Sequence, residues 1–191
     1  MDVEAWKEQV RATRSQKDAF LASHMESPLP FHDRLFFEGL AYWPPDPQYR
    51  FEVELHEFGE KEVVTMMDTS GQRRKMWRWG VFHFELEGQQ CALHVYKSDP
   101  AKETMFIPFR DKTNGKESYG AGRYLDLNAR NHRTKDGKWV LDLNEAYNPW
   151  CAYSEQYACP FVPRENWLQV SVQAGEKQYP LGSEKAEMRH G

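Results

Sequence analysis

The sequence predicts a mainly β protein, an antiparallel barrel or sandwich of about eight or nine short strands preceded by one amphipathic helix. Three observations carry that expectation. From Arg50 onward apolar and polar residues alternate with a period of two, as in half-buried strands. VFHFELEGQQCALHVYK, residues 81–97, reads as a hairpin turning at Glu87-Gly88. And helix-length segments do not alternate with the strands, which excludes Rossmann and TIM-barrel architectures. At 191 residues, 14% of them aromatic, the chain is expected to form one packed domain rather than a disordered chain.

In chain order, residues 2–22 read as the helix, with Asp2 as its cap and Val3, Trp6, Val10, Phe20 and Leu21 at helical spacing. Thr13 and Lys17 interrupt that stripe, so partial burial against the domain is expected. The expected division is a helical segment over 1–26, a single β domain over 27–183 and a loose tail over 184–191. A new element is expected near His32-Asp33. Pro44, Pro45 and Pro47 keep 36–50 out of any ladder, and Phe36, Phe37, Tyr42 and Trp43 are expected to close one end of the core.

Phe51, Val53 and Leu55 alternate with charged residues, and Val63, Thr65 and Met67 read as the neighbouring strand after a turn near Gly59. Trp77 and Trp79 belong to the next strand. In the hairpin, Phe82, Phe84 and Leu86 share a face with Cys91, Leu93 and Val95, which places His83 and His94 on the opposite face as direct or diagonal neighbours. Two imidazoles so placed could ligate a metal or be two polar residues on a wet face; no third ligand follows from spacing, and no metal site is assigned. Further strands are expected at 104–109, 122–127, 138–143 and 167–173, the last from the alternation of Leu168, Val170 and Val172.

The net charge of −4 gives no basic surface for nucleic acid. No apolar run is long enough for a membrane helix, and the N-terminus is charged, so a cytoplasmic protein is expected. Three cysteines, an odd number without a secretion signal, point to reduced thiols.

Two polar segments could carry chemistry. In FRDKTNGKESYGAGRYLDL, 109–127, Arg123 could clamp a carboxylate and Lys116 add positive charge, while Glu117 could act as an acid or base. The same segment also reads as a long loop stapled by its own ion pairs. In LDLNEAYNPWCAYSEQYACPFVPRENW, 141–167, Asn144 could cap a short helical turn, and Asp142, Asn144, Tyr147 and Asn148 fall just past a strand end. Cys151 and Cys159 could be a nucleophile and its resolving thiol, two metal thiolates, or two small buried apolar groups. No phosphate-binding loop or nucleophile elbow occurs.

These same blocks, GKESYGAGRYLDL, LDLNEAYNPWCAYSEQYACPFVPRENWLQV and AGEK at 174–177, with LAYWPPDPQYRFEVEL upstream, resemble the domain-of-unknown-function family 1684 of bacterial and archaeal proteins over roughly residues 35–177. Trp6, Arg11 and Arg14 are similar to the Trp- and Arg-rich N-terminal helix common in that family. Its Gly-Trp-Leu and Gly-Leu stretch is replaced here by SHMESPLPFHDRLFFEGL, 23–40. The resemblance implies no particular reaction or cofactor. It implies where a site would lie, since Asp111, Thr113, Glu117, Tyr119, Arg123, Asp142, Asn144, Tyr147, Asn148, Cys151 and Asn166 stand in its motifs.

The expected function is binding of a small acidic metabolite in a pocket made by the 110–126 and 142–166 loops. Asp111, Thr113, Lys116, Tyr119, Arg123, Asn144, Tyr147, Asn148 and Asn166 would contact the ligand. The alternatives are a hydrolase-like enzyme with Glu117 or Asp142 as general base, Cys151 being the other catalytic candidate, and a protein-interaction module with aromatic anchors.

Overall fold

In the computed structural model, which describes residues 1–179, helix α1 (Val3–Ser23) is followed by a single turn, α2 (Phe31–Arg34), and then by strands and short 3-10 turns. These are β1 (Arg50–Val53), β2 (Leu55–Met67), β3 (Arg73–Leu86), β4 (Gln89–Lys97), β5 (Met105–Phe109), β6 (Arg123–Leu127) and β7 (Trp139–Asp142). The protein is mainly β, with seven strands in two antiparallel sheets among the described residues and an N-terminal helix. One sheet runs in the order β2-β3-β4-β5-β6 and the other pairs β1 with β7. Among the described residues no ladder closes them into a barrel. The expected loose tail lies outside the described residues.

The β3–β4 hairpin follows its sequence pattern. Glu87 and Gly88 both take positive φ, 53° and 72°, the mirror-image turn that suits the twist of paired strands. Phe82 lies opposite Leu93 and Phe84 opposite Cys91, all buried. Against this face the β1–β7 pair lays its own: Phe51 meets Phe84 at 4.8 Å between ring centroids and Trp139 meets Phe82 at 6.4 Å. Leu125, Leu127, Leu141 and Leu143 complete the same core.

The structure corrects four expectations. β2 does not turn at Gly59 but continues through a bulge between Glu57 and Glu62. Lys61 holds that bulge, donating to the carbonyls of Phe58 at 2.7 Å and Trp79 at 3.0 Å. The shift reverses the parity downstream, so Met66 points inward while Val63 and Met67 are 45% and 50% exposed. β1 therefore pairs with β7 instead of with residues 63–67. The 167–173 segment alternates as read, with Leu168, Val170 and Val172 buried, yet forms no strand. Its backbone instead meets the chain near Asp111: Val172 donates to the Asp111 carboxylate at 3.1 Å and Val170 accepts from Lys112 at 3.0 Å. Finally, Trp43 is buried but Phe36 is 76% exposed, so the 36–43 aromatics do not act together as a lid on the core.

Asp2 caps α1, accepting from the amides of Glu4 and Ala5. No helix among the described residues is long and apolar enough to cross a membrane.

Candidate functional site

Trp6, Gln9, Val10, Thr13, Arg14 and Lys17 recur at three- and four-residue spacing, which puts them on one face of α1. That face turns toward the β body, where an amphipathic helix ordinarily presents only apolar side chains. Here it roofs a cavity of about 640 Å³, a size suited to a small molecule. The opposite wall comes from Arg50 on β1, Asp126 on β6, Asp142 at the end of β7, the Asn144–Tyr147 stretch that follows, and Tyr42, His132 and Glu176.

Asp142, not Asn144, caps the short 3-10 turn after β7: its Oδ1 accepts from the Asn144 amide at 3.0 Å. A strand residue emerging at the sheet end is already extended, as a cap must be, whereas Asn144 lies within the turn. Asn144 instead bonds across to the proline-rich segment, accepting from the Asp46 amide at 2.9 Å and donating to its carbonyl at 2.8 Å. The other Asp142 oxygen accepts from the Trp6 indole at 2.9 Å and lies 3.9 Å from Arg50 Nε. Burial raises the Asp142 pKa above the ordinary carboxylate range, and the hydrogen bonds from Asn144 and Trp6 offset only part of that. Across the cavity Asp126 accepts from the Tyr147 hydroxyl. Asp126 is exposed, yet partial loss of hydration raises its carboxyl too.

The cations differ from one another. Lys17 is ion-paired with Glu176, which also accepts from the Asn148 amide at 2.9 Å and from the Tyr153 hydroxyl. Arg14 has no carboxylate partner among the described residues: its terminal nitrogens donate to the carbonyls of Trp43 at 2.7 Å and Asn144 at 3.1 Å. Those bonds use two of the five N–H donors of a guanidinium. Its plane lies 4.5 Å from the Tyr42 ring centroid, and among the described residues neither Arg14 Nε nor the Tyr42 hydroxyl has a hydrogen-bond partner. His132 contacts Glu145 at 3.0 Å; burial works against its charge, but that carboxylate outweighs it and the pKa is raised.

Of the residues singled out from sequence, Asp142, Asn144 and Tyr147 line this cavity. Asn148 stands behind it, its amide on Glu176 and its side chain donating to the Lys177 carbonyl at 2.8 Å. The 110–126 segment does not share the hollow, apart from Asp126. Lys116 and Glu117 are exposed, within a turn closed by the Thr113 and Ser118 hydroxyls 2.7 Å apart. Arg123 is fully buried and faces the protein's own backbone rather than a ligand. It donates to Asp111 at 2.9 Å and to the carbonyls of Val172 at 2.8 Å, Glu176 at 3.1 Å and Ala174. Asn166 likewise serves the fold, accepting from the His94 amide at 2.7 Å and donating to Pro108 O at 2.7 Å and His94 O at 2.9 Å. It thereby splices β4 to β5, whose ladder is reduced to the pairing of Tyr96 with Phe106. Tyr119 and Cys151 meet each other, hydroxyl to thiol at 3.6 Å, away from the cavity.

His83 and His94 are diagonal neighbours as the hairpin parity requires, opposite Ala92 and Val81. Their rings contact His56 at 5.4 Å and Phe58 at 5.6 Å respectively. Sequence reasoning missed Trp6, Arg14, Tyr42, Asp126 and Glu176 as lining residues. The available signal was polar residues on the inward face of α1, Thr13 and Lys17 first among them.

A model of the family described as a protein of unknown function, DUF1684, matches residues 36–177. The solution NMR structure of an uncharacterized protein from Haloarcula marismortui is 38% identical, covering 92% of this chain and 96% of that one with a TM-score of 0.70. No curated protein matches the sequence.

Proposed function

The chain belongs to the DUF1684 family, and from that premise we propose that it binds a small carboxylic acid bearing a hydroxyl or amino group, in the cavity under α1. The observation that carries this reading is Arg14, a guanidinium held in place by two carbonyls, with no carboxylate partner among the described residues, on the wall of the cavity. A ligand carboxylate would supply the missing charge partner, and charge-assisted bonds of this kind are the stronger class. Asp142 and Asp126 line the same cavity and offer carboxyl oxygens to the hydroxyl or amine at the ligand's other end. Trp6 and Tyr42 provide flat walls.

The test is a thermal-shift and native mass-spectrometry screen with small hydroxy- and amino-carboxylic acids on the wild type, Arg14→Gln and Lys116→Ala. Ligand at about 100 times Kd stabilises by about 2.7 kcal/mol, a rise of several degrees in Tm. That rise is expected to disappear in Arg14→Gln and persist in Lys116→Ala. A hit retained by the Arg14 variant removes this assignment.

One observation favours a second reading, in which the bound acid is also turned over. Asp142 lines the cavity with its carboxyl raised by burial, so a proton could pass between it and a bound acid. Asp142→Asn would then keep binding and lose turnover. Glu117, exposed and outside the cavity, is not part of this reading.

A further inference from the structure

A second chemical centre lies away from the cavity, in the strap that carries Cys151 and Cys159. Pro149 opens a 3-10 turn, Trp150–Ala152, that presents Cys151 half-buried. The chain then bends back, and its return limb is pinned to the β2–β3 connection. There Cys159 donates from its amide to the Thr69 hydroxyl at 3.2 Å and accepts at its carbonyl from the Thr69 amide at 3.1 Å. The Phe161 amide donates to Met67 O at 2.8 Å. The two limbs close on each other at sulfur: the Cys151 amide donates to Cys159 Sγ at 3.4 Å. Tyr119 reaches Cys151 Sγ at 3.6 Å, and Tyr124 and Val162 pack around the pair.

We propose that Cys151 and Cys159 form a dithiol site that reduces hydroperoxides and closes to a reversible disulfide. Cys159 is the attacking thiolate. An amide N–H aimed at its sulfur stabilises negative charge there, and Arg74 lies near enough to add to that. Its thiol is lowered, chiefly through its contact with the Cys151 thiol, while Cys151 is raised by the same contact and by burial. A moderately lowered thiol gains thiolate fraction while retaining nucleophilicity. In the first step the Cys159 sulfur attacks the terminal peroxide oxygen: an S–O bond forms, the O–O bond breaks, and the alcohol or water leaves after taking a proton. Cys159 is now a sulfenic acid, oxidised by two electrons. In the second step the Cys151 sulfur attacks it, the S–S bond forms, the S–O bond breaks, and the departing hydroxide leaves as water with the Cys151 proton. The sum is two thiols and one hydroperoxide giving one disulfide, one alcohol and one water.

The turn geometry is suited to closure, because Cys151 sits on the more accessible limb and can approach a sulfur whose own limb is fixed to Thr69. Cys91, on β4 and buried in the main core, serves as the internal control. The experiment treats fully reduced full-length protein with hydrogen peroxide, then alkylates it under denaturing conditions and reads intact mass and tryptic peptides. The number of alkylated cysteines is expected to fall from the three present in the sequence to the single Cys91, with a Cys151–Cys159 linked peptide that dithiothreitol removes. Cys151→Ser, which lacks the resolving thiol, is expected to trap Cys159 as a sulfenic acid that dimedone labels. Full alkylation of all three cysteines after peroxide treatment of the wild type, or a disulfide that includes Cys91, overturns the proposal. Both readouts come from the wild type, so a variant that fails to fold does not protect the idea.

Discussion

Arg123 and Arg14 both hold a guanidinium against aromatic rings, Arg123 against Trp43 and Phe109 and Arg14 against Tyr42. Burial disfavours the charge of each. Around Arg123 the protein supplies a carboxylate and three carbonyls, and the carbonyls come from alternate residues of one extended segment, 172, 174 and 176. The side chain thus takes up three carbonyls that a neighbouring strand would otherwise bond. Around Arg14 the hydrogen-bond partners among the described residues are carbonyls. The same residue type is thus a structural tie in one place and an unsatisfied charge beside a cavity in the other.

The largest expected effect tests the first half of that contrast. Arg123→Leu strands a buried Asp111 and three carbonyls, and should destabilise by about 3–5 kcal/mol, as removing one partner of a buried ion pair does. Urea unfolding checks it, with Arg14→Gln as the companion at about 1 kcal/mol. Equal losses for the two arginines would erase the distinction between them.

A smaller effect concerns Asp142. Its folded pKa lies above its unfolded value, so the native state holds the proton more tightly and stability falls as pH rises from the ordinary value of 3.8 through the raised one. Asp142→Asn should flatten that fall without abolishing it, because Asp126 and Asp18 are raised as well. Denaturation midpoints at a series of pH values decide the matter; an unchanged slope would mean that Asp142 is hydrated.

The smallest effect is at His132, raised by Glu145 against its own burial. Its contribution is present below the usual histidine range and is lost as pH rises through the raised value. Glu145 is exposed, so His132→Gln should cost within about 1 kcal/mol at mildly acidic pH and nothing at alkaline pH. A loss that persists in base would assign His132 to packing, through its ring nitrogen's bond with the Asn128 amide at 3.1 Å.

The hairpin was legible in sequence because its pattern depends only on residues that face each other across one turn. The inward alternation of Leu168, Val170 and Val172 was legible for the same local reason. What replaced their ladder was not, since Leu168 and Val170 bond to the backbone of Arg110 and Lys112, and Val172 to Asp111 and Arg123, all distant in the chain. The site was half legible. Asp142, Asn144 and Tyr147 sit at a strand end, where position alone is suggestive, whereas Arg14 and Lys17 acquire meaning only when α1 is laid over them. The motif-rich 110–126 segment drew attention through composition, and its charged residues, Asp126 on the cavity wall apart, proved to be divided between solvent and an interior tie. β2 was misread at Gly59 because a bulge leaves no periodic trace except the reversed parity beyond it.

Glu176 belongs to both arginine neighbourhoods. Its carbonyl is gripped by Arg123, while its carboxylate takes Lys17 from the helix and Asn148 and Tyr153 from the strap. Seating the helix and fastening the last extended segment are therefore one cooperative event. A molecule that draws α1 inward through Lys17 tightens the far edge of the β body as well, and slower amide exchange at residues 172–176 would be its distant signature.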